Sequence, residues 1–134
     1  MSDIISYKER FKRQEDFVVK YRFYTPEENG RQTLPNQHIR NDFWYDHQDH
    51  EANQIFMIHP EFEDSEGNII EGQVPQEGIA KMWILVPKMF DYHKERIKVG
   101  QLGYFHEGAR KTAICEIIEI KGLKDLKNQE LNGV

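Results

Sequence analysis

The chain has 134 residues and a mass of 16.0 kDa, enough for one domain with a single core and too little for two. Hydrophobic residues make up 38% and aromatics 12%, too apolar for a disordered chain. No apolar run approaches the roughly 20 residues of a membrane-spanning helix, and the net charge of −5 argues against general nucleic-acid binding.

The start, Met1-Ser2-Asp3-Ile4-Ile5, shows no signal-peptide pattern. A lone Cys115 can form neither an internal disulfide nor a Cys-based zinc site. The expected compartment is therefore the cytoplasm. Residues 2 to 13 predict a short helix capped by Ser2 or Asp3, with Ile4, Tyr7 and Phe11 at helical spacing and docked on the body. The aromatic and β-branched run Phe17 to Tyr24 predicts a strand ended by Pro26. Asn29-Gly30 and Pro35 mark a polar loop. Further strands are expected over 39–45, over 54–58 (ended by Pro60), over 68–74, over 81–86, over 102–106 and over 112–120, with a helical turn in the 87–98 connection and a frayed helix in the tail.

Short strands with little helix between them predict an all-β fold, a six- to seven-stranded antiparallel β-barrel with a short N-terminal helix. One domain is expected over 1–134: a helical arm at 1–15, the barrel at 16–121 and a polar tail at 122–134. Alternation assigns Val19, Tyr21, Phe23, Phe43, Phe56, Ile58, Trp83, Leu85, Phe105, Ile114, Ile117 and Ile120 to the core.

Charge is unevenly spread. Residues 1–40 hold eight Lys or Arg and six Asp or Glu; residues 41–80 hold ten acids and no Lys or Arg; residues 81–134 hold ten basic residues and seven acids. A contiguous acidic third reads as a solvated face or as a surface for a basic partner.

Chemistry-bearing motifs are sparse. No Gly-rich phosphate loop and no dinucleotide fingerprint occurs, so no nucleotide binding or hydrolysis is expected. Asp46-His47-Gln48-Asp49-His50-Glu51 offers the residue types of a metal site, but His47 and His50 need His59, His93 or His106 to join them. The stretch reads as a solvated loop, and no cofactor or metal is expected. Cys115 lies in an apolar strand and reads as a packing residue. Glu107, beside a tight turn, reads as a hydrogen-bond acceptor or a partner for Arg110 rather than as a catalytic carboxylate.

Two stretches carry more pattern than a generic barrel needs. One is Asn29-Gly30-Arg31-Gln32-Thr33-Leu34-Pro35, followed by Ile39-Arg40-Asn41-Asp42-Phe43-Trp44-Tyr45. The other is Tyr104-Phe105-His106-Glu107-Gly108-Ala109-Arg110-Lys111-Thr112-Ala113. Together they resemble the C-terminal β-barrel domain of translation elongation factor Tu, with its Gly-Gly-Arg-x-Thr-Pro loop, its Tyr-Arg-Pro-Gln-Phe-Tyr strand and its later Arg-Glu-Gly-Gly-Arg segment. A strand ending in Pro87 lies between them, as in that family. The resemblance spans residues 16–121. Asn29 replaces the first loop glycine, Leu34 is an extra residue, Asn41-Asp42 replaces Pro-Gln, and His106 replaces the Arg before Glu-Gly.

In that family the domain packs on a GTPase domain, contacts the T-arm of aminoacyl-tRNA and meets an exchange factor. The resemblance implies Arg31, Arg40, Glu107, Gly108 and Arg110 as partner- or RNA-contact candidates, while Asp42 would repel a phosphate. The expectation is a stand-alone, non-enzymatic binding module for a protein partner; a homodimer is a second way to cover its apolar surface. The alternatives are an RNA-binding accessory to translation and a small metal-dependent enzyme using His47, His50 and Glu107. The 29–35 loop and the 106–111 turn are further expected to be ordered by side-chain hydrogen bonds, with Arg31 or Arg110 bonded to backbone carbonyls or a carboxylate.

Overall fold

The computed structural model describes residues 5–52 and 54–125, and the elements follow the chain as α1 (Tyr7–Phe11), β1 (Phe17–Phe23), β2 (Asp42–Tyr45), β3 (Ile58–Glu63), β4 (Glu77–Ile84), α2 (Phe90–Arg96), β5 (Leu102–Glu107) and β6 (Arg110–Ile120). All pairings are antiparallel, in the order β2-β5-β6-β1-β4-β3. The sheet curls into a half-barrel, and its two ends touch at a single bridge, where Phe43 and Phe56 exchange backbone bonds of 3.0 and 2.9 Å. The expected all-β, barrel-like class with a short helix is therefore the observed one.

α1 starts later than its expected cap. Ser6, not Ser2 or Asp3, accepts from the Glu9 amide at 3.1 Å, and its hydroxyl meets the Glu9 carboxylate at 3.2 Å. The expected caps, Ser2 and Asp3, lie outside the described residues. Lys12 ends the helix in the left-handed region at φ 58°. Ile4 and the tail beyond residue 125 lie outside the described residues.

β1 is the axis of the sheet, paired on both sides, with Phe17, Val19, Tyr21 and Phe23 facing inward and fully buried. Phe43, Tyr45, Ile58, Phe62 and Phe105 complete an aromatic-rich interior. On β4 the inward residues are Ala80, Met82 and Ile84. Trp83 is buried, but on the opposite face beneath α1, and Leu85 is only half-buried. On β6 the inward set is Ala113, Cys115 and Ile117, so Ile114 turns outward and Ile120 packs at the margin. Both runs are apolar on either parity, and pairing register, not hydrophobicity, chooses the inward set.

The expected strand at 54–58 shifts to 58–63, with Pro60 inside it. β3 is an edge strand, and Phe62, of the same parity as Pro60, turns its backbone groups away from β4. The absent N–H of Pro60 therefore costs no ladder bond. The buried Gln37 side chain occupies the place of a neighbouring strand: its amide oxygen accepts from Phe62 N at 2.8 Å, and its NH2 donates to the carbonyls of Phe62 (2.6 Å) and Ile70 (2.8 Å). Residues 68–74 contribute only isolated bridges, Glu63 with Ile69 and Asn36 with Gln73, instead of the expected strand. The helical turn expected in 87–98 is α2, whose His93 reaches into the end of the interior.

One polar knot joins arm and barrel. Asp16, 1% exposed, accepts from Arg13 Nη1 (2.6 Å) and from Ile84 N (2.7 Å), and Arg13 Nη2 donates to the Ile84 carbonyl (2.8 Å). The Asp16→Ala variant leaves the Ile84 amide and the Arg13 guanidinium without their carboxylate. Its urea-unfolding free energy should fall by about 3 kcal/mol, the usual cost of removing one partner from a buried pair.

Candidate functional site: an outer sheet face and the loop beside it

Outward residues are placed by strand register. Trp44 lies opposite Tyr104, Tyr104 opposite Ile114, Ile114 opposite Arg22, and Arg22 opposite Glu77, which makes one row across five strands. The next row runs Leu102, Glu116, Lys20, Ile79. At a strand spacing of about 4.8 Å the first row spans about 19 Å.

The Trp44 and Tyr104 rings stack at 5.7 Å, and Lys111 Nζ sits 3.9 Å above the Tyr104 ring. Leu102 is 47% exposed and Ile118 38%. A shallow groove of about 360 Å³ opens here, lined by Lys20, Arg22, Glu77, Leu102, Ile114 and Glu116. A row of aromatic and aliphatic side chains rimmed by charge is the composition of a protein-docking surface. Within the groove the charges alternate, Glu116 beside Lys20 and Arg22 beside Glu77.

The loop 29–35 abuts this face. Arg31 Nη1 meets Glu107 Oε1 at 2.7 Å and its Nε donates to the Thr33 carbonyl at 3.0 Å. Arg31 thus bonds both a carbonyl and a carboxylate, and its carboxylate partner is Glu107, for which the sequence offers a neighbouring turn or Arg110 as partners. The contact joins two segments more than 70 residues apart in sequence, the same two that carry the family resemblance. Asn29 is left-handed at φ 68°, and a Cβ on Gly30 would fall 2.0 Å from the Tyr24 carbonyl oxygen. Gly108 supplies φ +61° in the β5–β6 turn. Arg40 and Arg110 are exposed on the surface, Arg110 opposite Glu107 in the β5–β6 register.

The histidines serve the interior and its ends. His50 Nδ1 meets the Tyr45 carbonyl at 2.8 Å, and its ring stacks on Tyr92 at 5.7 Å. His47 Nδ1 lies 3.0 Å from the Asp49 amide, whose N–H it accepts. His93 Nδ1 lies 2.7 Å from the Tyr45 hydroxyl. Among the described residues, no group of three or more His, Cys, Asp or Glu side chains is placed to hold a metal ion. Asp42 sits across from His106 on β5, with its Oδ1 3.8 Å from His59 Nε2. Burial pushes the Cys115 thiol well above its ordinary value, as suits a packing residue.

The ten acids of 41–80 are dispersed. Glu61 is buried under α1, Glu63 pairs with Lys81 (3.4 Å), Asp49 with Arg96 (3.0 Å), and Asp64 caps its own turn. They do not form a single surface.

Trp44, Tyr104, Leu102 and Arg22 were not singled out from the sequence. The strand alternation that buries Phe43 and Tyr45 already turns Trp44 outward, but only the cross-strand register places it beside Tyr104 and Ile114. No protein-family model and no curated protein matches the chain.

Burial pushes His59 and His106 below the ordinary imidazole value and His93 down to about 4. A depressed folded-state pKa contributes stability that is present above the unfolded value of about 6.5 and is lost as pH falls through the folded one. Between pH 7 and 5, His93 alone should account for a loss of about 2 kcal/mol in urea-unfolding free energy, and the His93→Phe variant should flatten that pH dependence. The Arg31–Glu107 pair is about one quarter and one third exposed on its two sides. The Arg31→Ala variant should therefore lower stability by about 1 kcal/mol in a denaturant melt.

Proposed function

We propose that this protein is a non-enzymatic β-barrel binding module for a protein partner, acting in the cytoplasm, and that the partner docks on the Trp44–Tyr104–Ile114 row. The observation that carries this reading is the half-buried apolar row itself, flanked by the exposed Leu102, at right angles to the strands and unclaimed by either helix. Alternating charges favour polypeptide over nucleic acid: Glu77 and Glu116 line the same groove as Lys20 and Arg22, and Arg22 is already held by Glu28 at 2.9 Å. A phosphate backbone needs uncompensated cations gathered on one face.

The proposal includes a distant likeness to the C-terminal barrel of elongation factor Tu. What supports it is a six-stranded antiparallel half-barrel in which Arg31 and Glu107 bring the two motif-bearing segments together.

The test is affinity capture from native lysate with the tagged chain, with and without nuclease. Protein should be retained after nuclease, and Ile114→Glu should reduce it at least about tenfold, since a buried charge at an interface centre is strongly unfavourable. Arg31→Ala should leave it unchanged. Retention that vanishes with nuclease, or that survives Ile114→Glu in a variant with a wild-type melt, would overturn the reading.

A further inference from the structure

We propose that α1 is a displaceable strap and that Trp83 beneath it is a second anchor for a polypeptide partner, reached when the strap lifts. The inference rests on the docking-face reading above, because Trp83 extends the same surface.

Trp83 is fully buried yet stands outside the inward core. It shares the outward parity of Ile79 on β4, four residues or about 14 Å further along the strand. Its cover comes from the arm: Tyr7 edge-on at 6.2 Å, Phe11 at 5.6 Å and the Arg13 guanidinium at 5.4 Å.

Arg13 is fixed by its bonds to Asp16 and to the Ile84 carbonyl, so the part of the cover that can lift is α1 itself, and the hold on α1 is local. α1 has five residues, too few to be helical without docking. Tyr7 N donates to Glu61 Oε2 at 2.8 Å, the Tyr7 ring stacks on His38 at 4.2 Å, and His38 Nε2 meets the same carboxylate oxygen at 2.6 Å. His38 is itself held at φ 67°, a conformation disfavoured for a residue with a Cβ. None of these contacts involves the inward face of the sheet.

Lifting the arm would expose a matched pair of groups. Glu61, 2% exposed, would lose the backbone N–H it now accepts. Trp83 Nε1 is a buried donor that meets no acceptor among the described residues. An acceptor and a donor on the same face of neighbouring strands, Glu61 opposite Lys81 and Trp83 opposite His59, suit the N–H and C=O of a polypeptide backbone, and Tyr7 N–H already fills half of that role. The neighbouring carboxylates Glu63 and Asp42 disfavour a phosphate-bearing ligand.

Native-state hydrogen exchange tests the strap without a partner. The amides of Tyr7, Arg10 and Lys12 should exchange through openings at least about 100-fold more frequent than those of Val19 and Tyr21 in β1, with little urea dependence. Glu61→Gln should speed the arm amides about tenfold more and leave β1 unchanged. Equal protection of arm and β1, or equal acceleration of both by Glu61→Gln, would overturn the strap.

The anchor is read in the capture experiment. Tyr7→Ala should raise retained partner about fivefold, and Trp83→Phe in that background should abolish the gain. Absence of the gain, or its persistence without the indole, would overturn the anchor. A strap that exchanges as expected beside capture indifferent to Ile114→Glu would instead fault the docking face alone.

Discussion

The Asp16 carboxylate is the point on which the arrangement depends. It lies at the junction where the N-terminal arm becomes β1, and its two oxygens hold the Arg13 side chain and the Ile84 amide. Its own backbone N–H donates to Met82, and its carbonyl accepts from Lys121 and Leu123. One residue therefore sets the start of β1 against the end of β4 and the end of β6. Burial pushes its carboxyl above the ordinary Asp range, opposed by the Arg13 hydrogen bond and charge. Its negative charge is offset by the Arg13 guanidinium and the Ile84 amide, both of which donate to it. Arg13 also covers Trp83 and Phe90, so the same knot fixes the arm over the outer face.

Closure of the half-barrel is a second constraint. β2 and β3 share no strand ladder; Phe43 bridges Phe56 just before β3, which leaves the edge of β3 in need of partners. Gln37 supplies them with a side chain instead of a strand, and Pro60 blanks the neighbouring position. An edge satisfied in this way cannot recruit another chain by strand addition. The docking proposed above falls instead on the outer face of the sheet, where register has gathered Trp44, Tyr104, Ile114 and Leu102.

The two faces of the sheet are consequently used differently. The inner face is filled by aromatic rings from β1, β2, β3 and β5, and α2 closes its end through the Tyr45–His93 bond. The outer face is covered by α1 over β3 and β4 and is open over β5, β6 and β1. The open part carries exposed apolar groups beside paired charges, the combination from which a polypeptide gains most on binding: burial at the centre and register from the rim.

The sequence by itself determined the class of fold, because alternation and turn residues act locally: β1, β5 and β6 lie where Phe17–Tyr24, Leu102–His106 and Thr112–Ile120 place them, and Gly108 carries the positive φ that its turn suggested. It also pointed to Arg31 or Arg110 binding a carbonyl or a carboxylate, since a guanidinium in a polar loop has donors to satisfy. Tertiary structure alone decided which carboxylate, because Glu107 is brought to Arg31 only by the curl of the sheet. It alone decided the inward parity of β4 and β6, where Lys-Met-Trp-Ile-Leu-Val and Ala-Ile-Cys-Glu-Ile-Ile offer apolar side chains to both faces. Pairing with β1 then fixed which set was buried: Met82 and Ala80 lie opposite Phe17 and Val19, and Cys115 and Ile117 lie opposite Tyr21 and Val19. Trp83 and Ile114 moved from the expected core to the outer face for that reason: hydrophobicity says that a side chain should leave water, and only the pairing of strands says on which side it can.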